Sequence, residues 1–343
     1  MLSELINEKI PLIKIKDHYF GKCPKCGSET LCVDDSLDRF ECLNCQAGGD
    51  YDDFCYLIGF PVSQPTILIN EFNNQVFTAN REICNYYRSK INDPKCIQYL
   101  KKRIISSALV NNFEIGYAPS NQKDLLQHLE KVYDKDVLLA TGAISNNDGH
   151  ISPFLYNRLT FPIKDIFGNI VGWGGRKIDN ESNKLVPKYK NSAESSIFQK
   201  RNLLYGLNVA KNFSDKGIIA CEGYMDVASM QTAGFKNTVA SLGTALTKDQ
   251  LLLIRAYTNK LYLCYDNDDA GHKATARAIN IAKNLGFDIK IMVMTEFKDP
   301  DEYIKNDISK MQHLIDDAID AETWLVKYYV NNMQIADLIN LMA

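Results

Sequence analysis

The 343-residue chain has no apolar run of the ~18 residues that a membrane span needs. Its first sixteen residues mix acidic with apolar side chains and end in no small-residue cleavage site, so no signal peptide is read. Internal repeats and low-complexity tracts are missing too. Charge is nearly balanced, at −3 net, so bulk electrostatics predict neither a nucleic-acid nor a membrane partner. Ten cysteines are too few for a disulfide scaffold of this length. Six of them are scattered, several within apolar strings such as Ile219-Ala220-Cys221, and read as small buried hydrophobes. Together these features exclude a secreted, fibrous or membrane-spanning protein and predict an intracellular, cytoplasmic one. At 45% hydrophobic residues the chain has ample material for a core, and its length predicts two or three domains.

What is present is unevenly placed. From Arg81 to Arg103 seven basic residues face two acidic ones, and from Arg158 to Arg201 nine face four. From Asp299 to Glu322 the sign reverses, with eight acidic residues and two basic. A basic middle followed by acidic clusters suits a protein that holds a polyanion and sets metal ions against it. The remaining four cysteines form two CxxC pairs, Cys23/Cys26 and Cys42/Cys45, fifteen residues apart. Four thiolates at this spacing predict one structural zinc ion in a ribbon, with Gly27 and Gly48-Gly49 supplying turns. Cys32 has no CxxC partner and is left out, as is His18. Such a module is expected to depend on its metal for want of a core of its own.

The expected organisation is a zinc ribbon over 1–60 and a linker over 61–80, where Pro61, Pro65 and the polar stretch Asn70 to Asn74 show no helical periodicity. A helical stretch then runs from Arg81 to about Phe113, and a strand-rich segment completes a subdomain over 81–215. Within it Leu159 to Asp165 and Ile170 to Trp173 form a hairpin turning at Gly168. From Lys216 the texture becomes alternating strand and helix, which predicts a parallel, doubly wound sheet over 216–298. A helical tail fills 299–343. The fold class is therefore α+β with an α/β core.

Three acidic clusters stand at the ends of strands in that sheet: Glu222 with Asp226, Asp266 with Asp268, and Asp299 with Asp301. Ligands bind at that edge of a parallel sheet. So many carboxylates converging without cationic partners would repel one another, and Mg²⁺ or Mn²⁺ resolves the repulsion.

These residues carry a resemblance. Glu222-Gly-Tyr-Met-Asp226, Tyr265-Asp-Asn-Asp-Asp-Ala-Gly271 and Asp299-Pro-Asp301 resemble the TOPRIM domain of bacterial and phage DnaG-type primases. Upstream, Tyr99-Leu-Lys-Lys-Arg103, Phe113 to Pro119, Arg158-Leu-Thr-Phe-Pro, Gly172-Trp-Gly-Gly-Arg176, Pro187 to Ser192 and Phe198-Gln-Lys200 are similar, in order, to the first half of the primase polymerase module. The resemblance runs from about residue 20 to residue 305. It implies a DNA-dependent RNA primase that joins ribonucleoside triphosphates on a single-stranded DNA template. It implies that Glu222, Asp266 and Asp268 carry catalysis through bound metal, with Asp226, Asp299 and Asp301 completing the shell. It further implies that Arg103, Arg158, Arg176, Lys188, Tyr189, Asn191 and Lys200 contact template or nucleotide. A replicative helicase is the implied protein partner, although the family's C-terminal helicase-binding domain has no counterpart in the short stretch after Asp301.

The chain departs from the family at several points. Cys26 replaces a histidine common in the zinc knuckle. Asn267 stands where glycine is usual, a position expected to need positive φ, and Ile104 replaces a glycine after Arg103. Arginines that the family carries around Phe154 and Tyr156 are absent. Two other classes share parts of this pattern. Recombination mediators combine four-cysteine zinc modules with TOPRIM, but lack the Phe161-Pro162 hairpin and Lys188 segment. TOPRIM nucleases would not need a basic groove from Arg103 to Lys200.

Overall fold

The computed structural model describes residues 2–331 apart from 17, 36–38, 46, 50, 59–70, 179–185, 196 and 244. It divides into two compact units, Met1–Leu68 with Leu251–Thr258, and Ile69–Gln250 with Asn259–Ala343.

In the first unit five strands form an antiparallel meander: β1 (Leu12–Ile15), β2 (His18–Gly21), β3 (Leu31–Asp34), β4 (Arg39–Cys42) and β5 (Gly48–Gly49). Period-two alternation in β3 sends Leu31 and Val33 inward. Helices Leu2–Asn7 and Tyr51–Leu57 add Leu2, Ile6 and Phe54, and Phe40 meets Phe54 edge-on at 5.5 Å. The ribbon thus has a small apolar core, contrary to the expectation that it has none. Gly48-Gly49, expected as a turn, is a strand that pairs with Phe40 and Glu41.

The second unit opens with a helix over Glu71–Ser89, so the expected linker is helical from residue 71, and its first ten positions lie outside the described residues. The polar first turn hid an apolar stripe, Val76, Ala79, Ile83 and Tyr87, at helical spacing and fully buried. Asn80, equally buried, ties this helix to the sheet. Its Nδ2 donates to Ile170 O at 2.9 Å and its Oδ1 accepts from Trp173 Nε1 at 2.8 Å. Helices Pro94–Lys102 and Ser107–Asn112 follow, then β6 (Gly116–Ala118), helices Lys123–Val132 and Lys135–Ala140, and the hairpin of β7 (Ile144–Asn147) and β8 (His150–Pro153). An antiparallel sheet in the order β11-β10-β9-β6 is completed by β9 (Arg158–Lys164), β10 (Ile170–Lys177) and β11 (Tyr189–Asn191). The expected hairpin joins β9 to β10, with Asp165 Oδ1 accepting from the N–H groups of Phe167 and Asn169.

The second sheet of this unit is β12 (Ile218–Cys221), β13 (Thr238–Ala240), β14 (Lys260–Leu263), β15 (Asp288–Ile291) and β16 (Ile319–Asp320), in the order β13-β12-β14-β15-β16. Its first four strands are parallel, as expected, and β16 adds an antiparallel edge that periodicity did not predict. One apolar cluster joins the two sheets of this unit. Trp173, Phe161 and Tyr205 belong to it together with Tyr224, Val227 and Ala240. The tail is helical over Pro300–Asn306, Ile308–Asp316 and Ala321–Asn331, and its last twelve residues are outside the described set. No helix among the described residues is long and apolar enough to cross a membrane.

Candidate active site and thiolate cluster

The four CxxC sulfurs converge. Cys23 Sγ lies 3.8 Å from Cys45 Sγ, and Cys26 Sγ 3.7 Å from Cys42 Sγ. A tetrahedron of thiolates around zinc, at ~2.3 Å per bond, has edges of about 3.8 Å, so the donor set fits the ion. Tight turns hold each pair, through Gly27 N–H to Cys23 O at 2.8 Å and Cys42 N–H to Ala47 O at 2.7 Å. Hydroxyls surround the sulfurs, an outer layer that the CxxC spacing does not announce. Ser28 Oγ is 3.2 Å from Cys26 Sγ and 3.4 Å from Cys42 Sγ, and Thr30 Oγ1 is 3.6 Å from Cys42 Sγ. The Ser28 hydroxyl lowers Cys26 to about 7. Burial raises Cys42, but Ser28 and the Cys45 N–H outweigh it and bring it to about 5. His18 faces Asp34 at 3.6 Å and stays out of the cluster.

The acidic residues gather at the carboxyl edge of the parallel sheet, because β12 and β14 are hydrogen-bonded neighbours that end together. Glu222 Oε1 accepts from Asp266 N–H at 3.1 Å. Asp226, 7% exposed, accepts from Gly223 N–H at 3.0 Å. Asp268 caps the helix Asp269–Asn284 by accepting from the N–H groups of Ala270 and Gly271, and Asp299 caps Pro300–Asn306 by accepting from Glu302 N–H. Burial first, then neighbouring carboxylates, push Asp226 well up and Asp266 to about 7. Burial raises Glu222 and Asp299 as well. Asp268 is lowered, chiefly by the Gly271 N–H and then by Lys298.

One expectation for this edge needs correction. The carboxylates do have cationic partners: Lys298 Nζ is 3.3 Å from Asp268 and 3.9 Å from Asp266. Asp301, the last candidate ligand, is already partnered. It is 3% exposed, takes the Ser229 hydroxyl, and pairs with Lys305 at 2.6 Å. The Ser229 contact ties the helix Tyr224–Thr232 to Pro300–Asn306, and the pair with Lys305 lies within the latter helix. Among the described residues, only the four cysteines bring three or more ligand atoms within 4.8 Å of one another, so the carboxylate edge is more open. Asn267 is not at positive φ, whereas Ile104 is, at 52° and 73% exposed.

The basic residues divide into two groups. Arg103, Arg176 and Lys188 act on one another electrostatically, and Lys188 also senses Asp266. Burial and the charges of Arg176, Arg103 and Lys298 depress Lys188, while Asp266 pulls it the other way. Arg176, 5% exposed, donates to the Tyr189 hydroxyl at 2.8 Å and lies over the rings of Tyr189 and Tyr99. Its Nε is buried without a hydrogen-bond partner. Lys200 begins a short 3₁₀ turn, where its backbone N–H donates to Glu194. The others are structural. Arg158, expected at the ligand, is 5% exposed and donates to the carbonyls of Gly175, Lys188 and Pro187. Asn191 donates to Leu242 O and accepts from the Tyr224 hydroxyl. Gly174 and Gly175 make room for protein: a Cβ there would stand 2.7 Å from the Tyr224 ring and 2.5 Å from Leu155. One residue escaped the sequence reading. Glu114, at φ 51°, gathers Lys164, Arg81 and Arg88 beneath the sheet.

Comparison with known proteins covers both units. A family described as the DNA primase catalytic core, N-terminal domain, matches residues 85–211, and a Toprim-like family matches 219–304. The DNA primase of Borreliella burgdorferi is 31% identical over 99% of this chain and 71% of its own length. That of Clostridium acetobutylicum is 31% identical, and the chain spans 60% of it. The Aquifex aeolicus primase crystal structure, comprising zinc-binding and RNA polymerase domains, superposes with TM-score 0.69 at 30% identity, over 97% of this chain and 87% of that one. A DnaG primase catalytic domain bound to single-stranded DNA gives 0.67 at 29% identity, over 76% and 84%. With thiolate ribbon, antiparallel sheet and acid-edged parallel sheet each matched in order, the chain belongs to the DnaG-type DNA primases.

Proposed function

We propose that the chain synthesises short RNA primers on single-stranded DNA from ribonucleoside triphosphates. One observation carries this reading: Glu222, Asp226, Asp266 and Asp268 gather at one sheet edge, and Lys188 senses the charges of both Asp266 and the cations Arg176 and Arg103. Glu222, Asp266 and Asp268 would hold Mg²⁺ or Mn²⁺, with Asp226 and Asp299 behind them. Bound there, the ions supply neutralisation of the triphosphate and a lower pKa for the attacking hydroxyl. Arg103, Arg176 and Lys188 would orient phosphates, and Tyr189 holds the Arg176 fork in place. Lys200 is assigned to the same groove by family resemblance. Zinc is the ion proposed for the four thiolates, in a module that reads the template. A replicative helicase is the partner this reading expects. The test is incubation with single-stranded DNA, labelled ribonucleotides and Mg²⁺ or Mn²⁺. Short RNA is expected. Shortened DNA would indicate a nuclease, and binding without product a recombination mediator.

A further inference from the structure

The loop from β8 to β9 holds an aromatic ring out in solvent on a backbone fixed on either side. Phe154 N–H donates to Ala143 O at 2.7 Å. Leu155 is fully buried, and its carbonyl accepts from Gln122 Nε2 at 2.6 Å. Asn157 is left-handed at φ 51°, and its Oδ1 accepts from the Tyr117 hydroxyl at 3.2 Å. Between these anchors Tyr156 is 60% exposed.

Two cations fasten this loop to residues 187–190. Arg158 donates to Pro187 O at 2.9 Å and Lys188 O at 3.3 Å. Lys190 Nζ donates to Phe154 O at 3.3 Å and sits 3.9 Å from the centre of its ring. The loop that carries Tyr156 is therefore tied to the segment that carries Lys188.

A single exposed aromatic normally calls for no explanation. This one is set apart by its fixed backbone and by the ties between its loop and the segment that carries the exposed Lys188. A ring that is already ordered loses little freedom when a flat partner covers it, and nucleobases stack on such rings whatever their sequence. We propose that Tyr156 is a stacking platform for one base of single-stranded nucleic acid, with Lys188 taking a neighbouring phosphate. This rests on the primase reading and extends the groove to a residue outside it.

The test measures binding of the full chain to labelled oligothymidylate across a salt series. Tyr156→Ala weakens binding by roughly five- to hundred-fold. The salt dependence keeps its slope, because no charge is lost. Tyr156→Phe and Tyr156→Trp retain affinity, and Tyr156→Leu, which keeps bulk without a ring, binds as weakly as Tyr156→Ala. An abasic position scanned along the oligonucleotide costs wild type at one site and leaves Tyr156→Ala unaffected there. Wild-type affinity in Tyr156→Ala or Tyr156→Leu overturns the platform, as does a loss in Tyr156→Phe equal to that in Tyr156→Ala. Failure of the wild-type chain itself to bind DNA would instead overturn the primase reading.

Discussion

The thiolate ribbon and the carboxylate edge both gather electron-rich groups, by opposite means. The ribbon draws its ligands from two local turns, and its sulfurs already stand near tetrahedral spacing. Hydroxyls of Ser28 and Thr30 support them. The edge draws its candidate ligands from segments far apart in sequence, and burial drives Asp226 and Asp266 toward the neutral form. A structural site is closed and satisfied. A working site keeps unbalanced charge and an open face, and the surrounding core bears the cost.

The largest expected effect separates the two. Asp266→Asn lowers primer synthesis by about three orders of magnitude, read from labelled RNA on a gel. Its folding response has the opposite sign. Asp266 is raised to about 7 from an ordinary 3.8, so in the metal-free chain it costs stability progressively as pH rises from 3.8 to about 7, and in full above that. The variant should therefore melt at or above the wild-type temperature at pH 8, and the gain should shrink as pH falls below about 7 and vanish near 3.8. Melting well below wild type would make Asp266 structural.

Cys42→Ser acts in reverse. It should lose most of the roughly one bound zinc per chain by elemental analysis, and the ribbon should melt early or unfold. The Leu2–Phe54 core leaves room for residual structure, so amide exchange across residues 2–58 is the sharper measurement. Full metal content in the variant would break the comparison.

Glu114→Gln tests the polar node under the antiparallel sheet. Burial raises this carboxyl, but Lys164 and Arg81 outweigh it, so its folded value lies below the ordinary 4.5. Its stabilisation is complete above 4.5 and is lost as pH falls through the folded value. With Glu114 largely covered and Arg81 44% exposed, the cost is about 2 kcal/mol at pH 7, seen in urea melts and shrinking below pH 4. The smallest effect is a gain. Ile104→Gly relieves a β-branched residue at φ 52° and should stabilise by about 1 kcal/mol. No change, or a loss, would mean that its exposed side chain has a partner.

Much of this was legible beforehand. The CxxC pairs, the β9–β10 hairpin and the parallel strands carry local signals in spacing and periodicity. The helix from residue 71 was obscured because its first turn is polar, although Val76 to Tyr87 repeat at helical intervals. Asp301 and Arg158 have partners that the sequence hides, because charge in sequence does not disclose what neutralises it. Lys305 and Ser229 occupy the first, and three carbonyls the second.

Sequence alone determined which residues are the candidate ligands. Chemistry resides in residue types, and short-range order sets which side chains share a turn or a strand end. Tertiary structure decided which of those groups stay free to act. Burial and opposite charge act through space, between Asp301 and Lys305 as between Asp266 and Lys298. Whether a carboxylate is spent or available depends on neighbours that only the folded chain brings near.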